Sequence, residues 1–251
     1  MKKSLQNVTL VAVSGLEVEA HVTALEYSCK DINFAKVLLI APQNPYPEKA
    51  SYEYIHTNGF SDVGEWGRFI CFELHKYITT DHIILIHSDG FIVNPSAWDD
   101  RFLDYDYIGA PWPLSKIKGH FVDSNGVPTR VGNSVSLRSL RLLKAPSILN
   151  LKWGSEEQLG HLNEDGFLCA HNKNRLESEG IRFAPLELAC IFSREEPLPE
   201  NKGLEPFAFH KWKGENNKYP RLTKKEKIHS TLIRTTKKVF RLVSDYLFGA
   251  R

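Results

Sequence analysis

The sequence predicts an α/β domain, a sheet containing parallel strands with helices packed on it. Two observations carry this. The run Ile83-Ile84-Leu85-Ile86 is short, continuous and apolar, the pattern of a strand buried on both faces at the centre of a parallel sheet. Upstream, an apolar β-branched run, an amphipathic stretch and a second apolar run follow one another, which implies parallel pairing through a right-handed crossover. A chain of 251 residues, 42% hydrophobic and 11% aromatic, suits one such domain with a substantial core and is not a disordered scaffold.

In order, residues 8–13 form the first strand and residues 16–29 a helix with Leu16, Ala20, Ala24 and Leu25 on its apolar side. Residues 36–40 form a second buried strand, closed by Ala41-Pro42, and Pro42, Pro45 and Pro47 mark a loop. A second helix over 66–78, with Phe69, Phe72 and Tyr77 inward, feeds the strand at 83–86. A helical turn at 98–102 and a strand at 105–108 precede a Gly-, Pro- and aromatic-rich stretch, 109–128, that reads as a long functional loop. Residues 136–144 and 156–179 read as helices, 182–184 as a strand-like piece and 198–219 as irregular. No internal repeat is present. The four cysteines, Cys29, Cys71, Cys169 and Cys190, have no zinc-like spacing and read as small apolar fillers in a reducing compartment.

Neither a dinucleotide fingerprint nor a phosphate-loop motif follows the strands, since the first strand runs into Ser14-Gly15-Leu16-Glu17; this disfavours hydride-transfer enzymes and P-loop NTPases. Four polar clusters interrupt the apolar elements. His87-Ser88-Asp89-Gly90 lies at the carboxyl end of the central strand, where open α/β sheets bind ligands and a lone Asp can hold a hard cation against phosphates. The same residues also suit a simple turn. Gly132-Asn133-Ser134 opens a helix, either as an anion or sugar site or as an ordinary N-cap. Asn163-Glu164-Asp165 sits between apolar flanks, which aims a carboxylate into a cleft rather than into solvent. Phe207-Ala208-Phe209-His210-Lys211-Trp212 places one imidazole among aromatics, a packing residue or a metal ligand.

Taken in order, these clusters resemble the motifs of nucleotide-sugar glycosyltransferases of the GT-A fold. More closely, Tyr107-Ile108-Gly109-Ala110-Pro111-Trp112, Gly132-Asn133-Ser134 with Ser136-Leu137-Arg138-Ser139, Glu164-Asp165, and residues 207–212 resemble a family of poorly characterised glycosyltransferase-like domains. The resemblance spans residues 8–212 and is most specific at 106–112 with 136–139. It implies a GT-A-like (Rossmann-like) mixed sheet flanked by helices. It further implies that Asp89 matches the last acid of a metal-binding DxD-type motif and His210 the late histidine near the metal, Mn2+ or Mg2+, and the diphosphate. Asp165, preceded by Glu164, matches the general base of inverting members, and Gly132 and Asn133 match a glycine loop near acceptor and donor sugar. Ser14, His87, Ser88, Trp112, Ser134 and Lys211 complete the donor- and acceptor-facing set; Trp112 either stacks on a sugar or base or is core. Arg130 or Arg138 assists the diphosphate, or Arg138 is an exposed helix arginine. Two departures stand out: His87 occupies the position of the first Asp of a DxD, and Ser134 that of a second glycine.

The expected activity is therefore metal-assisted, inverting transfer of a sugar from a nucleotide-sugar donor to a glycan or lipid-linked glycan acceptor, as in surface polysaccharide biosynthesis. The rivals are a non-catalytic glycan- or nucleotide-binding scaffold, favoured by His87, and a metal-dependent phosphohydrolase. Residues 1–220 hold this domain. From 221 to 251 the chain carries nine Lys/Arg against two acids, +7, leaving −5 on the rest of a chain whose net charge is +2. Apolar residues interleave with those charges, so 221–251 reads as a basic amphipathic helix that contacts an anionic inner-leaflet surface or packs on the domain. No nucleic-acid-binding module accompanies it. Without a secretion signal or a membrane-length apolar run, the expected location is cytoplasmic, either free or peripheral on the inner face of the cytoplasmic membrane.

Overall fold

Alternating strands and helices build a six-stranded mixed sheet whose centre is the strand that the sequence marks as most buried. The computed structural model describes residues 2–114, 122–132, 135–154 and 163–222. Chain contacts separate a unit Met1–Lys218 from a unit Tyr219–Arg251, and of the second only residues 219–222 are described, so the expected basic helix at 221–251 lies almost wholly outside the described residues. All elements named below belong to the first unit. They are β1 (Lys3–Val13), α1 (Val18–Ser28), β2 (Ile32–Ala41), β3 (Glu53–His56), α2 (Val63–Phe72), β4 (His82–Ile86), β5 (Gly90–Ile92), β6 (Tyr107–Ile108), β7 (Ser136–Ser139), α3 (Leu140–Ile148), α4 (Lys173–Ser178), α5 (Leu186–Phe192), β8 (Ser193–Arg194) and β9 (Ala208–His210).

The large sheet has the order β3-β2-β1-β4-β7-β6. β1 pairs in parallel with β2 and β4, and β2 with β3, as the strand–helix–strand opening requires. β7 runs antiparallel to both β4 and β6, which makes the sheet mixed. Successive residues of β1, β2 and β4 point to opposite faces. Val11, Val13, Leu38, Ile40, Ile83 and Leu85 share one core with Ile70 of α2 and Leu143 of α3. Their neighbours Leu10, Ala12, Leu39, Ile84 and Ile86 are equally buried on the other face. Both faces are thus covered, which is why these strands read as unbroken apolar runs.

The second helix starts earlier than its pattern predicts, at Val63, because the Asp62 carboxylate accepts the Glu65 N–H at 2.8 Å as an N-cap. A 3-10 turn, Leu74–Tyr77, carries the chain on to β4. Leu16, expected on the apolar side of the first helix, is 79% exposed; the helix buries Val18, Val22, Ala24 and Leu25 instead.

The expected helix at 136–144 is corrected: Ser136–Ser139 is a buried strand and the helix begins at Leu140, capped by Ser139, whose hydroxyl accepts the Leu142 N–H at 3.0 Å. Arg138 is accordingly no exposed helix arginine. It is fully buried in β7, and its guanidinium donates to Glu164 at 2.6 Å. Asp106, in the block most specific to the resemblance, ties this corner together, accepting from the Ser139 hydroxyl, the Arg182 N–H and the Arg141 guanidinium. The expected long helix at 156–179 is broken. Its residues 156–162 lie outside the described ones, and a short helical turn Glu164–Gly166, a π-helical turn Phe167–His171 and α4 follow.

The stretch 198–219 is not all irregular. It contains β9, the middle strand of a second, three-stranded sheet of order β5-β9-β8. Strands of two or three residues offer no periodicity to read, so this sheet was illegible in the sequence. Among the described residues no helix is long and apolar enough to cross a membrane.

The Arg138–Glu164 pair joins β7 to the turn that carries Asp165. Replacing Arg138 by Met strands a buried carboxylate and is expected to cost about 3–5 kcal/mol of stability. Adding Glu164→Gln should restore much of the loss. A double-mutant cycle by urea denaturation measures the coupling, and a value near zero would mean the pair is not a structural tie.

Candidate active site

The site begins where β4 leaves the large sheet. His87 and Gly90 close a tight turn, with the His87 N–H donated to the Gly90 carbonyl at 2.8 Å and the Gly90 N–H to the His87 carbonyl at 3.3 Å. Ser88 and Asp89 sit at its tip, so the segment is the tight turn that its residues suit, and that turn presents Asp89 at the carboxyl end of β4. β5 then enters the small sheet, paired antiparallel with β9 so that Gly90 lies opposite His210. Glycine is needed there because a Cβ at position 90 would stand 2.7 Å from the His210 ring and 2.9 Å from Val135. On the other side β8 pairs with β9 at Arg194↔Phe209, which brings the next residue, Glu195, level with His210.

Three chain segments therefore set three side chains in a row. The His210 Nε2 lies 3.1 Å from Asp89 Oδ1, and its Nδ1 lies 2.7 Å from Glu195 Oε2. The second oxygen of Glu195 accepts from the Lys211 ammonium at 2.8 Å. Lys211 takes a left-handed backbone, φ 60°, as the strand ends. The Asn216 carboxamide spans this end, donating to the Arg194 and Lys211 carbonyls at 2.9 and 3.1 Å and accepting from the Arg194 guanidinium at 2.7 Å.

The charges follow from these contacts. Burial opposes ionisation of Asp89, but the His210 hydrogen bond and the charges of His210, His87 and Lys211 hold its carboxyl below the ordinary range. Burial likewise opposes Glu195, and His210 and Lys211 outweigh it, pulling the carboxyl to about 2. His210 is raised, because its bonds to the two carboxylates outweigh the desolvation that lowers it.

Asp165 lines a cavity of about 240 Å3 together with Trp112, Pro113, Asn163, Glu195, Glu196 and Lys211. Its Oδ1 accepts the Gly166 N–H at 2.8 Å. Burial first, then the neighbouring carboxyl of Glu164, pushes Asp165 up to about 8. Glu164 points away, into its ion pair with Arg138.

Of the residues singled out in the sequence, the fold brings Asp89, His210 and Lys211 together, and Asp165, Trp112 and Lys211 around the cavity. Glu195 belongs to both groups and joins them. His87 stacks obliquely between His210 and Trp66, with ring centroids 5.3 and 5.7 Å away. Ser14 follows β1 beside the β4 turn, since Ala12 pairs with Ile86; its hydroxyl donates to the Leu16 carbonyl. Gly132 has φ 149°, and a Cβ on it would meet Cys169 at 2.6 Å and Trp112 at 3.1 Å, so only glycine lets the backbone pass this close to both. Trp112 is 2% exposed, both core and cavity wall. Asn133 and Ser134 lie outside the described residues. Glu195, Arg194 and Asn216 escaped sequence reasoning; a Glu after an apolar helix carries no signal of a histidine 15 positions later.

Among the described residues no three His, Cys, Asp or Glu side chains are arranged to hold a metal ion. Asp89 and His210 Nε2 nevertheless form a two-donor set. The Glu195 contact at Nδ1 orients the imidazole as a carboxylate orients metal-bound histidines; an ion at Nε2 would replace the proton that Nε2 shares with Asp89. Two protein donors fit a Mn2+ or Mg2+ ion that completes its shell with substrate phosphates.

The family model described as Protein of unknown function (DUF5672) matches residues 49–210. None of the curated proteins compared with the sequence matches it. Among solved structures, the apo-form glycosyltransferase GlyE of Streptococcus pneumoniae TIGR4 aligns with a TM-score of 0.48 at 11% identity, over 91% of this chain and 59% of that one. The bifunctional IspDF of Campylobacter jejuni aligns with a TM-score of 0.43 at 11% identity, over 71% of this chain and 49% of that one. This chain thus spans less than two thirds of the length of either.

The raised Asp165 carboxyl has a consequence for stability. Because the folded state holds this proton up to about 8, against about 4 unfolded, its contribution is intact in acid and lost as pH rises across that window. Asp165→Asn cannot ionise, so its melting temperature should gain on the parent's steadily between those pH values. A pH-independent difference would show that Asp165 is not buried as described.

Proposed function

The chain belongs to the DUF5672 family, and we propose that it is a glycosyltransferase, moving a sugar from a nucleotide-sugar donor to a hydroxyl of a glycan or lipid-linked glycan with inversion. The observation that carries this reading is the 3.1 Å contact of Asp89 and His210 at the carboxyl end of β4, with Asp165 in the adjoining cavity.

β1 leads to β2 on one side while β4 lies on the other, so the crevice beyond their carboxyl ends is a topological switch point, the usual place for a nucleotide in an open sheet. Ser14 from β1 and His87-Ser88 from the β4 turn flank that crevice. Asp89 is anionic and partly exposed, so on its own it repels a diphosphate. With His210 it would hold a divalent cation, which supplies Lewis-acid neutralisation of the charge that develops on the leaving nucleoside diphosphate. The Lys211 ammonium lies beside this pair and adds positive charge on the phosphate side. In the same cavity, Asp165 accepts the proton of the attacking hydroxyl, and its raised affinity for that proton matches a base working near neutrality. Trp112, 2% exposed, serves the cavity as a packed wall. A lipid-linked acceptor would give the basic segment 221–251 a role in meeting an anionic membrane surface.

Calorimetry with uridine and guanosine diphosphates, with and without Mn2+, tests the donor half. One of the two is expected to bind in a Mn2+-dependent way, weakened about tenfold or more by Asp89→Ala, as for loss of a charged ligand. Binding indifferent to both Mn2+ and Asp89 removes the metal role, and absence of nucleotide binding favours the non-catalytic scaffold that His87 allows. Asp165→Asn should leave nucleotide affinity nearly unchanged while transfer falls by about 10²–10⁴, the usual worth of a general base. Undiminished transfer would end that assignment.

A further inference from the structure

Glycine inside a helix destabilises it relative to alanine, so a buried glycine at mid-helix marks a place where a side chain would not fit. Gly67 is such a residue, buried in the middle of α2. A Cβ on it would stand 2.9 and 3.2 Å from Trp153 Cη2 and Cζ2, and 3.3 Å from the backbone nitrogen of Glu164. The helix therefore carries a notch at this point. What fills the notch is the Trp153 indole together with the start of the turn Glu164–Gly166, the turn that carries Asp165.

The indole has little freedom to give way. Its ring centroid lies 6.4 Å from that of Phe72, on the same helix, and 4.9 Å from that of Phe167, and those two phenyl rings are 5.8 Å apart. Phe167 directly follows Gly166 and opens the π-helical turn, an arrangement that recurs at functional sites. Its carbonyl accepts from the Asn172 backbone N–H at 3.1 Å and from the Asn172 carboxamide at 3.0 Å. Farther along the same turn Cys169 seats against Gly132, a second glycine used for close approach. The ion pair with Arg138 holds Glu164 itself. The backbone around Asp165 is thus packed at distances that leave no slack.

We infer that Gly67 is a positioning residue: by admitting Trp153 and the Glu164 backbone so close to α2, it sets the depth at which the Asp165 carboxyl lies in the cavity. That Asp165 is a base rests on the glycosyltransferase reading; the setting of its place rests on packing alone. An alanine methyl at position 67 pushes on Glu164 directly, and on Phe167 through the indole, so it presses on the residues either side of Asp165-Gly166. Close-packed interiors transmit such strain rather than absorb it. The carboxyl moves with the turn, because its Oδ1 accepts the Gly166 N–H at 2.8 Å.

Gly67→Ala, Trp153→Phe and the double variant, each in the full chain, test this. The first measurement is the pH at which Asp165 loses its proton, obtained from the melting temperature of each variant against the same variant carrying Asp165→Asn. Gly67→Ala should lower that pH from about 8 toward neutrality, because a turn pushed off α2 buries the carboxyl less. The double variant should restore it, since a phenyl ring lacks the outer indole atoms that the new methyl meets. Glu164, Arg138 and Glu195, the charged groups that bear on Asp165, are the same in every variant, so a changed pH reports position. Where Gly67→Ala is too unstable to titrate, Trp153→Phe carries the measurement: it empties the notch, unpacks Phe167 and should also lower the pH. An unchanged pH in the folded variants, or no recovery in the double variant, overturns the inference. The second measurement is transfer, which should fall about tenfold or more in Gly67→Ala while nucleotide affinity holds, as for a slightly misplaced catalytic group. Undiminished transfer in that variant also overturns the inference. A lowered and restored pH in a chain whose parent transfers no sugar upholds the positioning and sinks the transferase reading.

Discussion

His210 is fixed between two carboxylates, and most of the site depends on that constraint. The imidazole does not choose its position by rotamer alone. β9 lies between β5 and β8, and the two registers bring Asp89 and Glu195 to either side of the same residue. With Nδ1 committed to Glu195, Nε2 faces Asp89 and the mouth of the crevice. Gly90 makes the approach sterically possible, and the Arg194–Asn216 contacts hold the strand ends against which these side chains are set. A short sheet, packed through Phe91, Ile92 and Phe209, thus gains precision from backbone pairing and a buried polar clamp.

A second buried polar feature serves the cavity. Arg138 and Glu164 pair next to Asp165, and burial together with the Glu164 charge outweighs Arg138 to hold the proton on Asp165. The adjacent acids of the sequence therefore have separate work: one is structural, the other faces the cavity. Glu195 connects the two features, since one oxygen orients His210 and the other holds Lys211 at the cavity rim.

Much of the large sheet was legible because its strands are buried on both faces, and burial on both faces writes itself as an apolar run. Ile83 to Ile86 is the strongest case, and the parallel β1–β2 pairing followed from the intervening helix. Asp89, Asp165 and His210 were legible as polar residues in apolar settings. The helix expected at 136–144 failed for a physical reason: Ser136-Leu137-Arg138-Ser139 has no period to distinguish strand from helix, and Arg138 looked solvent-exposed only because its partner, Glu164, lies 26 positions away. Leu16 was placed in the core by periodicity, although the helix begins two residues later.

By itself the sequence determined the class of fold and the central strand, and it marked out polar residues in apolar settings, since these depend on local hydrophobic pattern and on side-chain type. Only the tertiary structure decided that a second sheet exists, that Glu195 joins His210, and that Glu164 and Asp165 face different ways. Those outcomes are set by strand register and by charge pairing across more than a dozen residues, and neither leaves a trace in the order of neighbouring amino acids.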